Sequence, residues 1–330
     1  MSTVLLKKSL KKSEDVPRIY EVGPNSDFFN IQEAIDKAKK CGGTIYISPG
    51  EYKENLKLYP GITLEGRGIA DFRAISLIGT HTIIEPGNYS FNHLLFESDG
   101  SIFSVRKNDL NPALLFRGCG FDVEDGYVLD VPKSSGSTVF FDCVSSGVNN
   151  GFIDNTYGTF NSTLFNMTFS GGKGRNTTKF FGRTLLYNVH AINQINIEGN
   201  DTSTDIIGGS WIEGSIKVLG GASLNIECSS LSGGNQCAIY KDFDSYLRVS
   251  NCSIESEAEF IIEGEGAIFL SGNAFSRKAK LPASLVIELG SIITKTHSFK
   301  SCAPKFSNKD PDGFFESNIN GKIIYVPYYQ

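Results

Sequence analysis

Residues 31–58 read IQEAIDKAKKCGGTIYISPGEYKENLKL, and this stretch decides the fold. Its first part predicts an amphipathic helix, because apolar residues recur at helical spacing along one face at Ile31, Ala34, Ile35 and Ala38. Asp27 or Asn30 is placed to cap the start of this helix, and two glycines end it. Two strands follow, over Thr44–Ser48 and Leu56–Leu58, separated by a Pro-Gly turn. The helix is therefore expected to cap the N-terminal end of a β structure.

Downstream of residue 90, short apolar runs recur without an intervening helical pattern. One anchor residue from each run gives the series Phe96, Phe116, Phe140, Phe165, Tyr187, Ile207, Ile226, Val249 and Phe269. Successive anchors lie 19 to 25 residues apart. Such a period predicts a solenoid whose coils contribute short strands to long parallel sheets, stacked about 4.8 Å apart.

The chain divides into three segments around this solenoid. Residues 1–18 form a basic arm with four lysines and no core-forming pattern. Residues 19–275 are the solenoid domain, and residues 276–330 are the C-terminal cap segment of the same domain. Both ends need caps because an open solenoid exposes its sheet edges and its core.

Composition excludes several classes of function. The 330-residue chain has a net charge of −5, so a nucleic-acid partner is not expected. No apolar run reaches the roughly 20 residues of a membrane helix, and the N-terminus lacks the apolar segment of a signal peptide. We therefore expect a soluble protein that is intracellular or virion-associated rather than secreted. Seven cysteines without a CxxC pair and four histidines without ligand spacing predict reduced thiols, no metal site and no cofactor.

Three motifs carry a resemblance to a known family: IQEAIDKA, GTIYISPGEYKENLKL and GITLEGRG, all within residues 31–68. Together they resemble the N-terminal part of pectinesterases, in the pectin-lyase-like superfamily. The resemblance implies an all-β fold, a right-handed single-stranded parallel β-helix with an N-terminal capping α-helix. It also implies a site with two aspartates, oxyanion-binding glutamines and an arginine, since ester cleavage needs a nucleophile and donors for the tetrahedral oxygen.

The downstream residues depart from that catalytic pattern. In CGFDVEDGYVLD, Asp125 stands where the resemblance implies the general acid, but Glu124 replaces an oxyanion-binding amide with a repulsive carboxylate. In DCVSSGVNNGFID, Asn150 occupies the position of the nucleophilic aspartate, and an amide cannot replace that carboxylate. Arg183 offers a positioning arginine only 33 residues after Asn150. The resemblance therefore predicts a degenerate esterase site.

Other carboxylates leave glycoside hydrolysis as an alternative function. Glycoside hydrolysis needs two suitably separated carboxylates, and neighbouring coils carry Asp122, Glu124, Asp125, Asp130, Asp142, Asp154 and Asp205. Turn-forming segments also carry aspartates for conformational reasons alone. The candidate catalytic residues are Asp125, Glu124, Asp142 and Asp154. The candidate ligand-binding residues are Arg183 and Trp211, the sole tryptophan, which can stack on a sugar ring.

Two classes of function follow from these observations. The first is a non-catalytic β-helix that serves as a structural or carbohydrate-binding protein, for example as a virion component, with homo-oligomers as one form of assembly. The alternative is an active polysaccharide hydrolase or carbohydrate esterase that uses an acidic cluster in the groove of the β-helix. In both classes the expected ligand is a polysaccharide or another glycan.

Overall fold

A computed structural model describes residues 18–67, 72–105, 110–131, 133–146, 151–154, 159–170, 177–266, 268–276, 286–287, 313–319 and 322–328. Each coil passes through three sheets in turn, and every pair of neighbouring strands in these sheets is parallel. The fold class implied by the sequence, a parallel β-helix with an N-terminal capping helix, is confirmed. No helix in the described part of the chain is long and apolar enough to cross a membrane.

Within the described residues, the first sheet has 13 strands, which follow one another in chain order. They are Ile19–Val22, Gly43–Ile47, Ile62–Gly66, Gly87–Asn92, Pro112–Arg117, Ser135–Phe141, Thr159–Phe165, Arg183–Tyr187, Ser203–Ile207, Ser223–Glu227, Tyr246–Ser250, Ile268–Ser271 and Val286–Ile287. Because all members of this sheet stack in sequence, each coil adds one strand next to that of the preceding coil.

In the same described part of the chain, the second sheet has 11 strands and the third has 10. The second consists of Gly50–Lys53, Ile75–Ile78, Leu95–Ser98, Gly120–Val123, Val144–Ser146, Thr168–Ser170, His190–Ala191, Trp211–Ile212, Ser230–Ser232, Ser253–Glu255 and Ala274–Phe275. The third consists of Lys57–Leu58, His81–Ile83, Phe103–Val105, Tyr127–Asp130, Gly151–Asp154, Thr177–Phe180, Gln194–Glu198, Ile216–Leu219, Ile239–Lys241 and Ile262–Gly264. A short 3-10 helix covers Phe72–Ala74, and an antiparallel hairpin joins Gly313–Ile319 to Lys322–Tyr328.

The predicted segments at the two ends are described only in part. Of the basic arm over residues 1–18, all but Arg18 lies outside the described residues. Of the predicted C-terminal cap over residues 276–330, the structure describes Ser276, the strand Val286–Ile287 and the hairpin. The division of the chain into arm, solenoid and cap stays a prediction.

One buried row of apolar side chains runs through the first sheet and forms much of the core. Its members are in register from coil to coil: Phe91, Phe116, Phe140, Leu164, Leu186, Ile206, Ile226, Val249 and Leu270. The ring of Phe116 stacks on the ring of Phe91 on one side and on that of Phe140 on the other, and the centroid distance is 4.8 Å in both pairs. This distance matches the spacing of strands in a sheet, so identical side chains pack face to face along the solenoid.

In four coils, the residue used to measure the sequence repeat lies next to the buried position rather than at it. The structure buries the residue before Phe165, Tyr187 and Ile207 and the residue after Phe269, and Phe96 belongs to the second sheet. Successive side chains of a strand point to opposite faces, so an offset of one residue along the strand exchanges the inner face of the sheet for the outer face. A pair of adjacent apolar residues does not reveal by itself which member points inward.

The N-terminal helix spans Ile31–Ala38, and all four residues of the predicted apolar stripe are fully buried. Asn30 occupies the N-cap position but makes no capping side-chain hydrogen bond. The cap comes from Glu54, whose two carboxylate oxygens accept hydrogen bonds from the backbone N–H groups of Ile31 (2.8 Å) and Gln32 (3.0 Å). A negative charge at a helix N-terminus is favourable. Glu54, the last residue of GEYKE, therefore links the segment after the strand Gly50–Lys53 to the start of the helix.

The corner between the first and second sheets is a repeated left-handed turn. The residue that follows the first-sheet strand has φ between 50° and 73° at His93, Gly118, Asp142, Asn166, Asn188, Gly208, Cys228, Asn251 and Gly272. Asparagine, aspartate and glycine tolerate this conformation best. The residue one step later is buried in several coils, as in Cys119, Cys143 and Cys252, which confirms that these thiols fill the core. All six cysteines in the described part of the chain are free.

Lys241 ends a third-sheet strand and is fully buried. Its Nζ donates to the backbone carbonyl oxygens of Asp242 (2.7 Å), Glu265 (2.6 Å) and Phe243 (3.5 Å). Burial lowers the pKa of this ammonium group. The lysine thus binds the corner loop of its own coil to the same corner of the next coil.

Candidate functional site

Of the four predicted catalytic residues, the structure separates Glu124 and Asp125 from Asp154. Glu124 and Asp125 are exposed in the turn between the second-sheet strand and the third-sheet strand of one coil. Asp154 is the last residue of the third-sheet strand Gly151–Asp154, at the opposite end of the sheet from that turn. Asn150, at the expected nucleophile position, lies outside the described residues.

Asp142 lies on a different edge of the solenoid. It occupies the left-handed corner between the first and second sheets, with φ of 54°. Its Oδ1 accepts a hydrogen bond from Asn166 Nδ2 at 3.0 Å, and Asn166 Oδ1 accepts one from Asn188 Nδ2 at 2.8 Å. The carboxylate therefore begins a ladder of hydrogen-bonded side chains along this corner.

The two predicted ligand-binding residues lie on separate faces. Arg183 begins a first-sheet strand and is exposed. Trp211 begins a second-sheet strand and is 51% exposed. Neither residue belongs to the third sheet, so the structure does not bring them together with Asp154.

The structure does bring Asp154 together with Asp130. Both are the last residues of neighbouring third-sheet strands, and they are in register with each other. Register partners on neighbouring strands lie about 5 Å apart. Glu198 ends another third-sheet strand two coils further on. These three carboxylates lie close to Tyr127, at the start of the strand that ends at Asp130, and to Lys179 on the strand between Asp154 and Glu198. We call the group formed by Tyr127, Asp130, Asp154, Lys179 and Glu198 the acidic strip.

The charged groups of the acidic strip lie close enough to influence one another's protonation. Burial, and then the negative charge of Asp154, raises the pKa of Asp130. Burial also raises the pKa of Tyr127, with further contributions from the charges of Asp154, Asp130 and Glu198. A half-buried carboxyl that holds its proton to higher pH beside a second carboxylate is the arrangement that general acid–base chemistry requires.

A glycine makes room for the tyrosine of the acidic strip. Tyr127 is in register with Gly151, and a Cβ at Gly151 would lie 2.6 Å from the Cε1 atom of the Tyr127 ring. The tyrosine ring therefore lies across the next coil, with its centroid 6.4 Å from that of Phe181. This packing places the phenol over the strand that carries Asp154.

The far end of the acidic strip is held by polar contacts. Lys179 Nζ lies 3.8 Å from Glu198 Oε1. Asn196 Nδ2 donates to the same Glu198 oxygen at 3.1 Å, and Gln194 Nε2 donates to Asn196 Oδ1 at 2.7 Å. These contacts fix the Glu198 carboxylate and supply amide groups on the outer face of the third sheet. No three His, Cys, Asp or Glu side chains in the described ranges are grouped as a metal site.

Sequence reasoning named Asp130 as a carboxylate but did not pair it with Asp154, and it did not single out Tyr127, Lys179 or Glu198. A signal for the pair was present, because Asp130 and Asp154 are 24 residues apart, the same separation as Phe116 and Phe140. Equal separations place both pairs in register in a solenoid.

A depression of about 420 Å³ lies at the N-terminal end, lined in part by Phe29, Pro49, Tyr52 and Glu54. Two of the ionisable groups that line it already have structural partners. Glu54 caps the helix, and the Tyr52 hydroxyl donates to the Ser48 carbonyl oxygen at 2.9 Å. The acidic strip is therefore the better candidate for a site.

No protein-family model matches this sequence, and no curated protein sequence is significantly similar to it. A solved structure of the pectin methylesterase from Aspergillus niger matches over 85% of this chain and 88% of that chain, with 14% sequence identity and a TM-score of 0.27. These values are too low to transfer esterase chemistry, and the fold assignment rests on the sheet topology described above.

Proposed function

We propose that this protein cleaves glycosidic bonds in a polysaccharide bound along the outer face of the third sheet. The observation that carries the proposal is the pair of carboxyl groups at Asp130 and Asp154, in register on neighbouring strands. Neighbouring parallel strands hold the Cα atoms of such a pair about 5 Å apart. Asn150, at the position where the sequence resemblance implies a nucleophilic aspartate, argues against an esterase.

Asp130 has the property that the general acid of glycoside hydrolysis needs. Asp130 has a raised pKa, so it is suited to give a proton to the oxygen of the leaving sugar. Asp154 then attacks the anomeric carbon as a carboxylate, which forms a glycosyl ester. Asp130, now deprotonated, removes a proton from the water that hydrolyses this ester. Adjacent coils favour this retaining mechanism, which needs its two carboxyl groups about 5 Å apart, whereas an inverting one needs more room for a water molecule.

Neighbouring groups support binding in the same place. The Tyr127 ring lies across the coil that carries Asp154 and provides an aromatic surface for a sugar. The partly exposed Gln194 and Lys179 lie further along the same sheet, next to the Glu198 carboxylate that Asn196 and Lys179 hold in place. A flat row of such groups along a solenoid suits an extended chain better than a small compact ligand.

The non-catalytic interpretation, a carbohydrate-binding β-helix, is favoured by one observation: an exposed tryptophan at Trp211 on a face other than that of the acidic strip. It predicts glycan binding without turnover. The structural role in a virion, the intracellular location and the homo-oligomer stay predictions, and so does the absence of nucleic-acid partners.

The test is release of reducing ends from a panel of polysaccharides by the purified protein. Asp130→Asn and Asp154→Asn are each expected to lower the rate by about 100-fold or more, because each removes a proton-transfer or nucleophilic group. Asp27→Asn, at an exposed aspartate in the bend before the N-terminal helix and several coils away from the acidic strip, is the matched control and should keep full activity. No release from any polysaccharide, or full activity in both strip variants, would overturn the proposal.

A further inference from the structure

We infer that Trp211 forms one wall of a second glycan site, on the second sheet, which takes an uncharged sugar ring. The inference rests on the proposed function for its ligand class but uses a face other than that of the acidic strip. Trp211 alternates with the fully buried Ile212, so its indole projects outward from the strand. Half of the side chain is exposed, at 51%.

One face of the indole is already covered. His190 is the register partner of Trp211 on the preceding coil, and the two rings stack with centroids 4.8 Å apart and planes at 15°. His190 Nε2 lies 3.0 Å from Glu213 Oε1, and this pairing holds the imidazole in place. The indole is therefore fixed with its plane across the solenoid axis before any ligand arrives, which lowers the entropic cost of binding.

The other face of the indole looks toward the following coils, which carry only small side chains at the register position. These residues are Ser230, Ser253 and Ala274, and all three are exposed. Three coil steps span about 14 Å. The indole thus stands as a wall at one end of a shelf floored by small residues, two of which carry hydroxyl groups.

The chemistry of this shelf selects the ligand. The apolar C–H face of a sugar ring can stack on the free face of the indole, while its hydroxyl groups bond to the serines and to the carboxylate of Glu255 beside Ser232. Glu213 and Glu255 are both exposed along this edge. Their charges would repel a polyuronate such as pectin, so the shelf fits an uncharged glycan.

Trp211 is the sole tryptophan of the chain, so its fluorescence reports on this site directly. The experiment titrates Asp154→Asn protein, which is not expected to consume the probe, with hexasaccharides of glucose, mannose, xylose and galactose and with hexagalacturonate. At least one uncharged hexasaccharide is expected to change the emission saturably. Hexagalacturonate is expected to bind at least about tenfold more weakly, a difference of about 1.4 kcal/mol.

Two serine variants locate the ligand. Ser230→Leu fills the shelf against the free face of the indole and is expected to abolish the change in emission. Ser203→Leu makes the same change at an exposed strand serine of the first sheet and should leave it intact. The inference is overturned if no uncharged probe changes the emission, if hexagalacturonate alone does so, or if Ser230→Leu binds as well as Ser203→Leu.

The hydrolysis assay keeps the two proposals distinguishable. Saturable emission changes without any release of reducing ends support the shelf and overturn the catalytic role of the acidic strip. Release of reducing ends without any change in tryptophan emission supports the catalytic role of the acidic strip and overturns the glycan site at Trp211.

Discussion

His81 should make the folded protein sensitive to acid. Its side chain is 1% exposed on the inner face of the third sheet, between the rings of Phe96 (5.6 Å) and Phe103 (5.5 Å). Nδ1 accepts a hydrogen bond from the backbone N–H of Leu56 at 3.4 Å, and Nε2 has no hydrogen-bond partner among the described residues. Burial lowers the pKa of this imidazole from 6.5 to about 3.

The sign and size of the effect follow from this pKa. The unfolded chain takes up a proton at His81 as the pH falls below about 6.5, whereas the folded chain does so only near 3. Stability is therefore fully present above pH 6.5 and is lost as the pH falls from 6.5 towards 3. Each pH unit in this window costs about 1.4 kcal/mol, so the loss at pH 4.5 is about 2.7 kcal/mol.

The assay is urea unfolding at pH 7.5 and pH 4.5 of the wild type and of His81→Leu, which fills a similar volume without a titratable group. The acid-induced loss of unfolding free energy is expected to be about 2.7 kcal/mol smaller in His81→Leu. His93→Asn, a change at an exposed histidine that keeps a residue suited to the left-handed corner, should retain the wild-type loss. Equal losses in the wild type and His81→Leu would refute the reasoning.

Two further substitutions test the packing that supports the fold and the acidic strip. Lys241→Met leaves the carbonyl oxygens around Nζ without a donor and should lower the unfolding free energy by about 3 kcal/mol, measured in urea, whereas Lys217→Met on the neighbouring strand should change it little. Gly151→Ala would bring a Cβ within 2.6 Å of the Tyr127 ring. It should lower glycan hydrolysis by about tenfold or more with an unchanged far-UV circular dichroism spectrum; unchanged kinetics would show that the ring position is irrelevant.

The local pattern of the sequence determined the elements with strong periodicity. The helix over Ile31–Ala38 follows from its apolar stripe, and the parallel β-helix follows from recurrent apolar runs together with the motifs of residues 31–68. These features depend on the local spacing of apolar residues, and the periods of helices and strands can be recognised from that spacing. The cap of the helix was different, because its acceptor, Glu54, lies 23 residues from the N–H group of Ile31 that it binds.

Only the tertiary structure decided which side chains meet. Phe165 and Leu164 are equally apolar neighbours, and the register of the stacked coils alone turns Leu164 inward. Asp142 and Asp154 look alike as acidic residues near strand ends, yet one begins a corner ladder and the other faces Asp130. In a solenoid, the number of residues in each coil determines which residues of neighbouring coils lie side by side. Because coil lengths vary through loops of different size, the partner of each residue is fixed only when the coils stack.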